Sequence, residues 1–176
     1  MIPFLLGTWK IPLCALLFAL AYPPWGFSFL VWVALIPGIS LGMQSKSIRQ
    51  ALLRAAWACF WVNLLLFPWI YPALRDYVNL SPVAAAVAWQ VFGLFSEPQL
   101  YVLSLGLYLL RKVTHPLALT FSIALLYTGA DWIAPKIFMD TLGHATHNMP
   151  FVRQVADLGG AYGITFLIVF HNVALY

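Results

Sequence analysis

The segment DWIAPKIFMDTLGHATHNMP, residues 131–150, gathers several groups that could do chemistry. Its ionisable residues are Asp131, Lys136, Asp140, His144 and His147. Helical spacing would bring the last three to one face, where carboxylate and imidazole groups could bind a metal ion. Gly143 and the weak helical pattern argue against this reading, and no supporting pattern of further ligands surrounds the three. We therefore predict no metal site and interpret the segment as a polar loop at the membrane interface.

Glu97 lies in the middle of a long apolar segment, within the string Ser-Glu-Pro-Gln at residues 96–99. An ionisable group at the centre of a membrane helix costs about 2.5–3.5 kcal/mol on insertion scales. Such a group usually faces the bundle interior or a wet cavity. The carboxyl is then either an acid of a substrate cavity or proton relay, or a hydrogen-bonded plug at a kink made by Pro98. The sequence leaves both interpretations open.

A third group of residues opens the last apolar run, in the string DLGGAYG at residues 157–163. Asp157 is predicted to cap the helix start and to complement the positive end of its dipole. Gly159 and Gly163 are four residues apart, and with Gly160 they indicate close packing against a neighbouring helix. The alternative is an anion or headgroup site at the exposed backbone amides.

The two cysteines, Cys14 and Cys59, lie in apolar runs without a partner cysteine or histidine pattern. We interpret both as small buried hydrophobic residues. No serine or cysteine nucleophile can be combined with a plausible base, and no nucleotide-binding glycine pattern is present. The sequence therefore predicts no catalytic residues in this chain and no cofactor.

Composition decides the class of protein that must position these groups. The chain has 176 residues, of which 63% are hydrophobic and 8% are charged. Soluble domains carry roughly 25% charged residues, so most of this exterior must face lipid. The formal charge of +4 is small and its basic residues fall mostly in short connections, so nucleic acid is not an expected partner. The prediction is a polytopic membrane protein.

Six apolar segments indicate one all-α domain over residues 1–176, a transmembrane helical bundle whose last segment is cut by the C-terminus. The predicted segments cover about residues 11–22, 27–43, 50–71, 82–110, 116–134 and 157–176. The first two are short for a span of roughly 20 residues. Pro68 is predicted to bend the third segment or end it near one interface.

Basic residues predict the orientation, because they concentrate on the cytoplasmic side. One set of helix ends holds six of them: Lys10, Lys46, Arg49, Arg54, Arg111 and Lys112. The alternate connections hold three: Arg75, Lys136 and Arg153. The first set is predicted to be cytoplasmic. Residues 135–157 then lie outside, and the last helix runs inward.

The order of these features resembles the N-terminal membrane region of the apolipoprotein N-acyltransferases. The matching strings are ALAYPPWGFSFLVWVALIP, a basic turn before a Trp-rich third helix, ADWIAPKIFMDTLGHA and VADLGGAYGITFLIV. The resemblance covers about residues 16–172, and its most specific parts lie at 135–144 and 156–166. Two departures stand out, since many relatives have Glu-Trp where Asp131 and Trp132 stand, and Tyr in place of His144. A shorter acid at 131 has one methylene less reach.

The resemblance implies an enzyme of the bacterial inner membrane that moves an acyl chain from a phospholipid to the α-amino group of a diacylglyceryl-cysteine. Its chemistry belongs to a periplasmic nitrilase-like domain with a Glu, a Lys and a Cys. None of these maps onto this chain, so we expect an inactive N-terminal half whose catalytic domain acts in cis or in trans. Trp132, Lys136 and His144 are then expected at the lip of a lateral route for lipid-bearing substrates, with Glu97 as an interior polar contact.

Two other functions remain open at this point. A small transporter or channel subunit would use Glu97 as its intramembrane acid. A non-catalytic partner would supply this membrane half to a separately encoded catalytic chain.

Overall fold

The computed structural model describes residues 7–138 and 140–176, and every regular element in those ranges is helical. The all-α prediction is therefore confirmed for the described residues. The α-helices are α1 Lys10–Ala21, α2 Ile36–Met43, α3 Ile48–Leu66, α4 Ile70–Asp76, α5 Pro82–Ser96, α6 Pro98–Leu110, α7 Pro116–Ile133, α8 Pro150–Arg153 and α9 Ala156–Leu175. Two short 3₁₀ helices cover Ser28–Trp32 and Leu142–Thr146.

Local sequence explains where several helices begin. Pro82, Pro98 and Pro116 stand at the first positions of α5, α6 and α7, where the missing N–H costs nothing and the fixed φ suits a helix. Ser47 caps α3, since its hydroxyl accepts a hydrogen bond from the backbone N–H of Gln50 at 3.2 Å.

The prolines divide two of the predicted segments. The second segment is a 3₁₀ helix followed by α2 rather than one helix, and the fourth is two helices that meet at Glu97. Pro68 bends the third as predicted, because α3 and α4 meet at 69°. The helices α1, α7 and α9 lie close to their predicted limits.

Judged by length and composition, fewer helices can cross a membrane than the six predicted. Within the described residues, α7 and α9 are long and apolar enough to cross a bilayer, and the bent pair α3–α4 makes a third candidate. The other apolar helices have 10–17 residues. A helix rises 1.5 Å per residue, so these fall short of a hydrocarbon layer of roughly 30 Å unless they combine across their breaks.

The bundle has two apolar centres. The larger joins α7 and α9 to α2, α6 and the first 3₁₀ helix around side chains such as Tyr127, Ile123 and Ile168, each at most 1% exposed. The smaller lies at the bend between α3 and α4, where Phe67 and Ile70 pack with partly buried Phe92 and Phe138. The helix α3 packs against α1, α5 and α6, so it connects the two centres.

A buried asparagine joins the irregular second segment to the last helix. Asn172 is fully buried; its Oδ1 accepts from the backbone N–H of Leu35 at 2.9 Å, and its Nδ2 donates to the carbonyls of Val31 at 3.0 Å and Ile168 at 2.9 Å. A buried backbone group without a hydrogen-bond partner costs free energy. The Asn172 side chain bonds the N–H of Leu35 and the carbonyl of Val31, which a continuous helix would have bonded within itself.

Within the described residues, the glycines of α9 have no closely packed neighbour, and their packing role stays a prediction. A Cβ built on Gly159, Gly160 or Gly163 meets no atom within 4 Å. Gly160 instead has φ +62°, a conformation that favours glycine, and it marks a break in the helix. The close approach lies at Gly143 of the second 3₁₀ helix, where a Cβ would stand 2.2 Å from the carbonyl oxygen of Ala161.

Asp157 does not cap α9 as predicted. The N-cap position is Val155 and no side chain makes a capping hydrogen bond, because the helix begins one residue before the aspartate. Asp157 lies in the first turn, where a negative charge still complements the positive end of the helix dipole.

The glycine contacts generate a paired prediction. Gly143→Ala is expected to lower the stability of the protein by about 1–3 kcal/mol, because its methyl group can be accommodated only by moving the backbone of α9. Gly159→Ala, which adds the same methyl group in open space, is the control and should cost nothing. The measurement is the thermal unfolding midpoint of the purified protein in detergent. Equal midpoints for the two variants would contradict the packing.

Candidate functional site

The outer loop, residues 134–149, follows α7 and is fastened to it by a buried ion pair. The Lys136 ammonium contacts the carboxylate of Asp131, in the last turn of α7, and the two side chains are 3% and 1% exposed. The same ammonium donates to the backbone carbonyl of Asp140 at 2.6 Å. Lys136 therefore closes the first half of the outer loop into a compact turn and does not face the surroundings.

The second half of the outer loop is held through its backbone. The Thr141 hydroxyl and the Thr165 hydroxyl both accept from the N–H of Gly143, at 3.2 and 2.9 Å. His144 Nδ1 accepts from the N–H of Thr141 at 3.1 Å, which completes a capping box for the second 3₁₀ helix. The Tyr22 hydroxyl, at the end of α1, donates to the Thr141 carbonyl at 2.6 Å.

The three residues with metal-ligand spacing do not form a group that could hold a metal ion. No set of three His, Cys, Asp or Glu side chains among residues 7–138 and 140–176 is arranged to hold a metal ion. His144 uses its Nδ1 in the capping box. Burial raises the pKa of Asp140 above its ordinary value, and the nearby Lys136 ammonium partly opposes that shift.

Glu97 lies inside the bundle, at the break between α5 and α6, and is 5% exposed. Its carboxylate accepts from the Gln99 side-chain amide at 2.5 Å, and its backbone carbonyl accepts from the Cys59 thiol at 3.7 Å. Glu97 therefore has a polar neighbour in the bundle interior, and its functional role there stays a prediction.

The three residues expected at a lip differ in their exposure. Trp132, near the end of α7, is 70% exposed, and the His144 side chain is also exposed, whereas Lys136 is buried. Sequence reasoning missed Tyr22 and Phe138 as residues that position the outer loop. A signal was available for the ion pair: an acid in the last turn of a helix, followed five residues later by a lysine after Ala-Pro.

The cysteines have no ionic partner within the described part of the chain. Cys14 Sγ accepts from the backbone N–H of Gly38 at 3.0 Å, and Cys59 is fully buried. Both are free thiols. Their apolar surroundings disfavour the thiolate that nucleophilic chemistry needs.

Comparison with known proteins points to one family. The model described as the apolipoprotein N-acyltransferase N-terminal domain matches residues 14–174. An apolipoprotein N-acyltransferase of Rhodopirellula baltica is 30% identical over 172 residues, which cover 89% of this chain and 28% of that protein. One of Geobacter metallireducens is 27% identical over 188 residues, covering 93% of this chain and 32% of that protein. The chain thus spans less than a third of the length of these relatives.

The buried ion pair generates a prediction about the outer loop. Lys136→Met should destabilise the protein by about 3–5 kcal/mol, because it leaves the Asp131 carboxyl buried without its cationic partner. The double variant Asp131→Asn/Lys136→Met should recover part of that loss, since no charge is then stranded. The measurements are the unfolding midpoint in detergent and the rate of protease cleavage within the outer loop.

Lys112→Met, on an exposed lysine after α6, is the matched control and should leave both quantities unchanged. If Lys136→Met behaved like Lys112→Met, the ion pair would not hold the outer loop.

Proposed function

The chain belongs to the apolipoprotein N-acyltransferase family, and on this premise we propose that it is the membrane-embedded N-terminal part of an enzyme of that activity. The family resemblance of the sequence is confirmed by the match over residues 14–174, and this match is the observation that carries the proposal. The reaction would transfer a fatty acyl chain from a phospholipid to the α-amino group of a diacylglyceryl-cysteine at a lipoprotein N-terminus.

In this proposal the described residues form a scaffold, and the acyl transfer occurs on another part of the enzyme. The buried acids are engaged with Lys136 and Gln99, and both thiols lie in apolar surroundings. A nitrilase-like domain carrying the Glu, Lys and Cys would act in cis or in trans. Residues 1–176 alone would then not transfer acyl chains.

The bacterial inner membrane is the proposed location, with several crossings and the outer loop on the periplasmic side. The six-to-three distribution of basic residues between the two sides supports this orientation. Exposed Trp132 and His144 are the proposed contacts for lipid-bearing substrates arriving from the bilayer. Lys136 contributes by fixing the outer loop, which gives it a positioning role in place of the predicted direct contact.

A transporter or channel subunit is the second candidate, and the buried Glu97 carboxyl is the observation that favours it. That carboxyl is bonded to Gln99 two residues away, as expected for a plug at a helix break. If Glu97→Gln altered proton or ion flux in liposomes while the protein stayed folded, this second function would be supported.

A chimera tests the proposed function. Residues 1–176 are joined to the remaining C-terminal polypeptide of the Geobacter metallireducens relative and reconstituted in proteoliposomes. The chimera is expected to acylate a diacylglyceryl lipopeptide with a free α-amine, detected as a mass increase of one acyl chain. Neither residues 1–176 alone nor the C-terminal polypeptide alone should do so.

The parent Geobacter enzyme is the positive control. A chimera that inserts and folds but transfers no acyl chain, while the parent is active, would contradict the proposal. Reading the coding DNA beyond Tyr176 gives an independent check, since a continuing sequence without a nitrilase-like Glu, Lys and Cys would count against it.

A further inference from the structure

A cavity of about 70 Å³ lies between α1, α2, α3 and α6, near the end of α1 that is remote from the outer loop. Its wall is mostly aliphatic, with residues such as Ile11, Leu103 and Leu107, and among the described residues Arg54 is its one charged member. This space, the Arg54 cavity, adjoins a second cavity of about 40 Å³, since Ala58 and several other residues line both. The result is an apolar space inside the bundle with a cationic residue in its wall.

The guanidinium of Arg54 uses only one of its nitrogens for hydrogen bonds, although the residue is 6% exposed. Its Nη1 donates to the carbonyl of Leu41, which also lines the cavity, and to the Ser45 hydroxyl at 2.9 Å. Its Nε is buried without a partner, and within residues 7–138 and 140–176 its Nη2 forms no hydrogen bond. An arginine has five N–H donors, so the edge formed by Nε and Nη2 is unused.

Bonding the end of α2 accounts for only one edge of this guanidinium. The last carbonyls of a helix have no partner inside it, and arginine side chains often supply one, which explains the bond from Nη1 to Leu41. Leaving buried donors unpaired costs free energy. Two adjacent N–H groups of an arginine match a carboxylate or a phosphate, which accepts two parallel hydrogen bonds. The unused edge therefore indicates an oxyanion as the missing partner.

The acids of the chain lie elsewhere. The sequence has five Asp and Glu residues, and none of them falls within 1–75 or 98–130, the two ranges that supply the wall of the Arg54 cavity. Glu97 lines the second cavity, but its carboxylate accepts from the Gln99 amide. Within the described part of the chain it forms no ion pair with Arg54. The oxyanion is thus expected to come from a ligand.

The surroundings of the Arg54 cavity favour a lipid with a net negative head group. Its aliphatic wall suits an acyl chain better than a soluble anion. A second cation is close, because the ammonium of Lys10 donates to the Ser40 hydroxyl at 2.8 Å, in the residue before Leu41. Basic pockets between membrane helices bind anionic head groups on the cytoplasmic side, the side predicted for this end. The ammonium of a zwitterionic head group would instead be repelled by these cations.

We propose that the Arg54 cavity binds an anionic phospholipid, with two phosphate oxygens on the Nε–Nη2 edge of Arg54 and an acyl chain against the aliphatic wall. The lipid is a bound ligand that is not consumed, and its site lies at the other end of α1 from the outer loop. The inference therefore goes beyond the proposed function and does not depend on acyl transfer. Free inorganic phosphate is the other source of the same oxyanion, and the experiment distinguishes the two.

Native mass spectrometry of the purified chain in detergent tests the binding. The lipid probes are dioleoylphosphatidylglycerol, which is anionic, and dioleoylphosphatidylethanolamine, which has the same acyl chains and a zwitterionic head group. Phosphatidylglycerol should bind roughly tenfold more tightly, the ratio that 1.4 kcal/mol produces. Inorganic phosphate in large excess over the lipid should leave phosphatidylglycerol bound. Displacement by inorganic phosphate would assign the cavity to the free anion and overturn the lipid.

Two matched pairs of variants identify the site. Arg54→Lys keeps the positive charge but lacks the two parallel donors, so it should lose the preference for phosphatidylglycerol. Arg49→Lys makes the same change on an exposed arginine in the first turn of α3 and should keep the preference. Ala58→Leu enlarges a side chain in the cavity wall and should weaken phosphatidylglycerol binding several-fold. Ala56→Leu, on a different groove of the same helix, should not.

The outcomes decide the inference whatever the activity of the chimera. No preference in the wild-type chain overturns it, and so does an equal preference in Arg54→Lys and Arg49→Lys, because charge alone would then account for the binding. A preference lost in Arg54→Lys and kept in Arg49→Lys supports it. If Arg54→Lys does not fold, the alanine pair decides: weaker binding in Ala58→Leu than in Ala56→Leu supports the site, and equal binding overturns it.

Discussion

Backbone polar groups away from water need partners, and this requirement governs the whole bundle. Its apolar segments are interrupted, so hydrogen bonds are missing at each break. Side chains from a neighbouring segment supply them: Asn172 bonds the break between the first 3₁₀ helix and α2, and Arg54 donates to the carbonyl of Leu41 at the end of α2. Tyr22 and Lys136 do the same for the outer loop. Several buried polar side chains therefore bond the backbone at the ends of neighbouring helices.

That arrangement explains why the candidate site lies at one end of the bundle. An uninterrupted membrane helix satisfies its own backbone and needs few polar side chains, whereas each break admits acids and bases that packing then orients. At the outer end, the breaks after α1, after α3 and after α7 come together around Asp140. The cluster of polar groups at this end is thus a consequence of the irregular backbone, part of which packs against the long helix α9.

The type and limits of the helices were predicted from the sequence better than the contacts between helices and loops. Hydrophobic runs gave the helical class and the limits of α7 and α9, and Pro68 gave the bend, because these depend on neighbouring residues alone. The glycine spacing in α9 did not identify a neighbour within the described residues, since small residues four apart permit close packing without specifying the partner. Gly143 was missed because its tight contact with Ala161 exists only once the outer loop lies against α9. Lys136 was expected to be exposed because its charge was considered without Asp131.

The departure from relatives at residue 131 acquires a physical meaning from that ion pair. The resemblance of the sequence implies a glutamate at this position in many members of the family, with one methylene more reach, whereas here the shorter Asp131 is contacted by the ammonium of Lys136. A lysine has four methylenes and can shorten or extend its reach to fit either acid. What the fold requires is then an acid at the end of α7 and a flexible cation in the outer loop, since the same ammonium must also bond the carbonyl of Asp140. We therefore expect the outer loop to keep its position with either acid at residue 131.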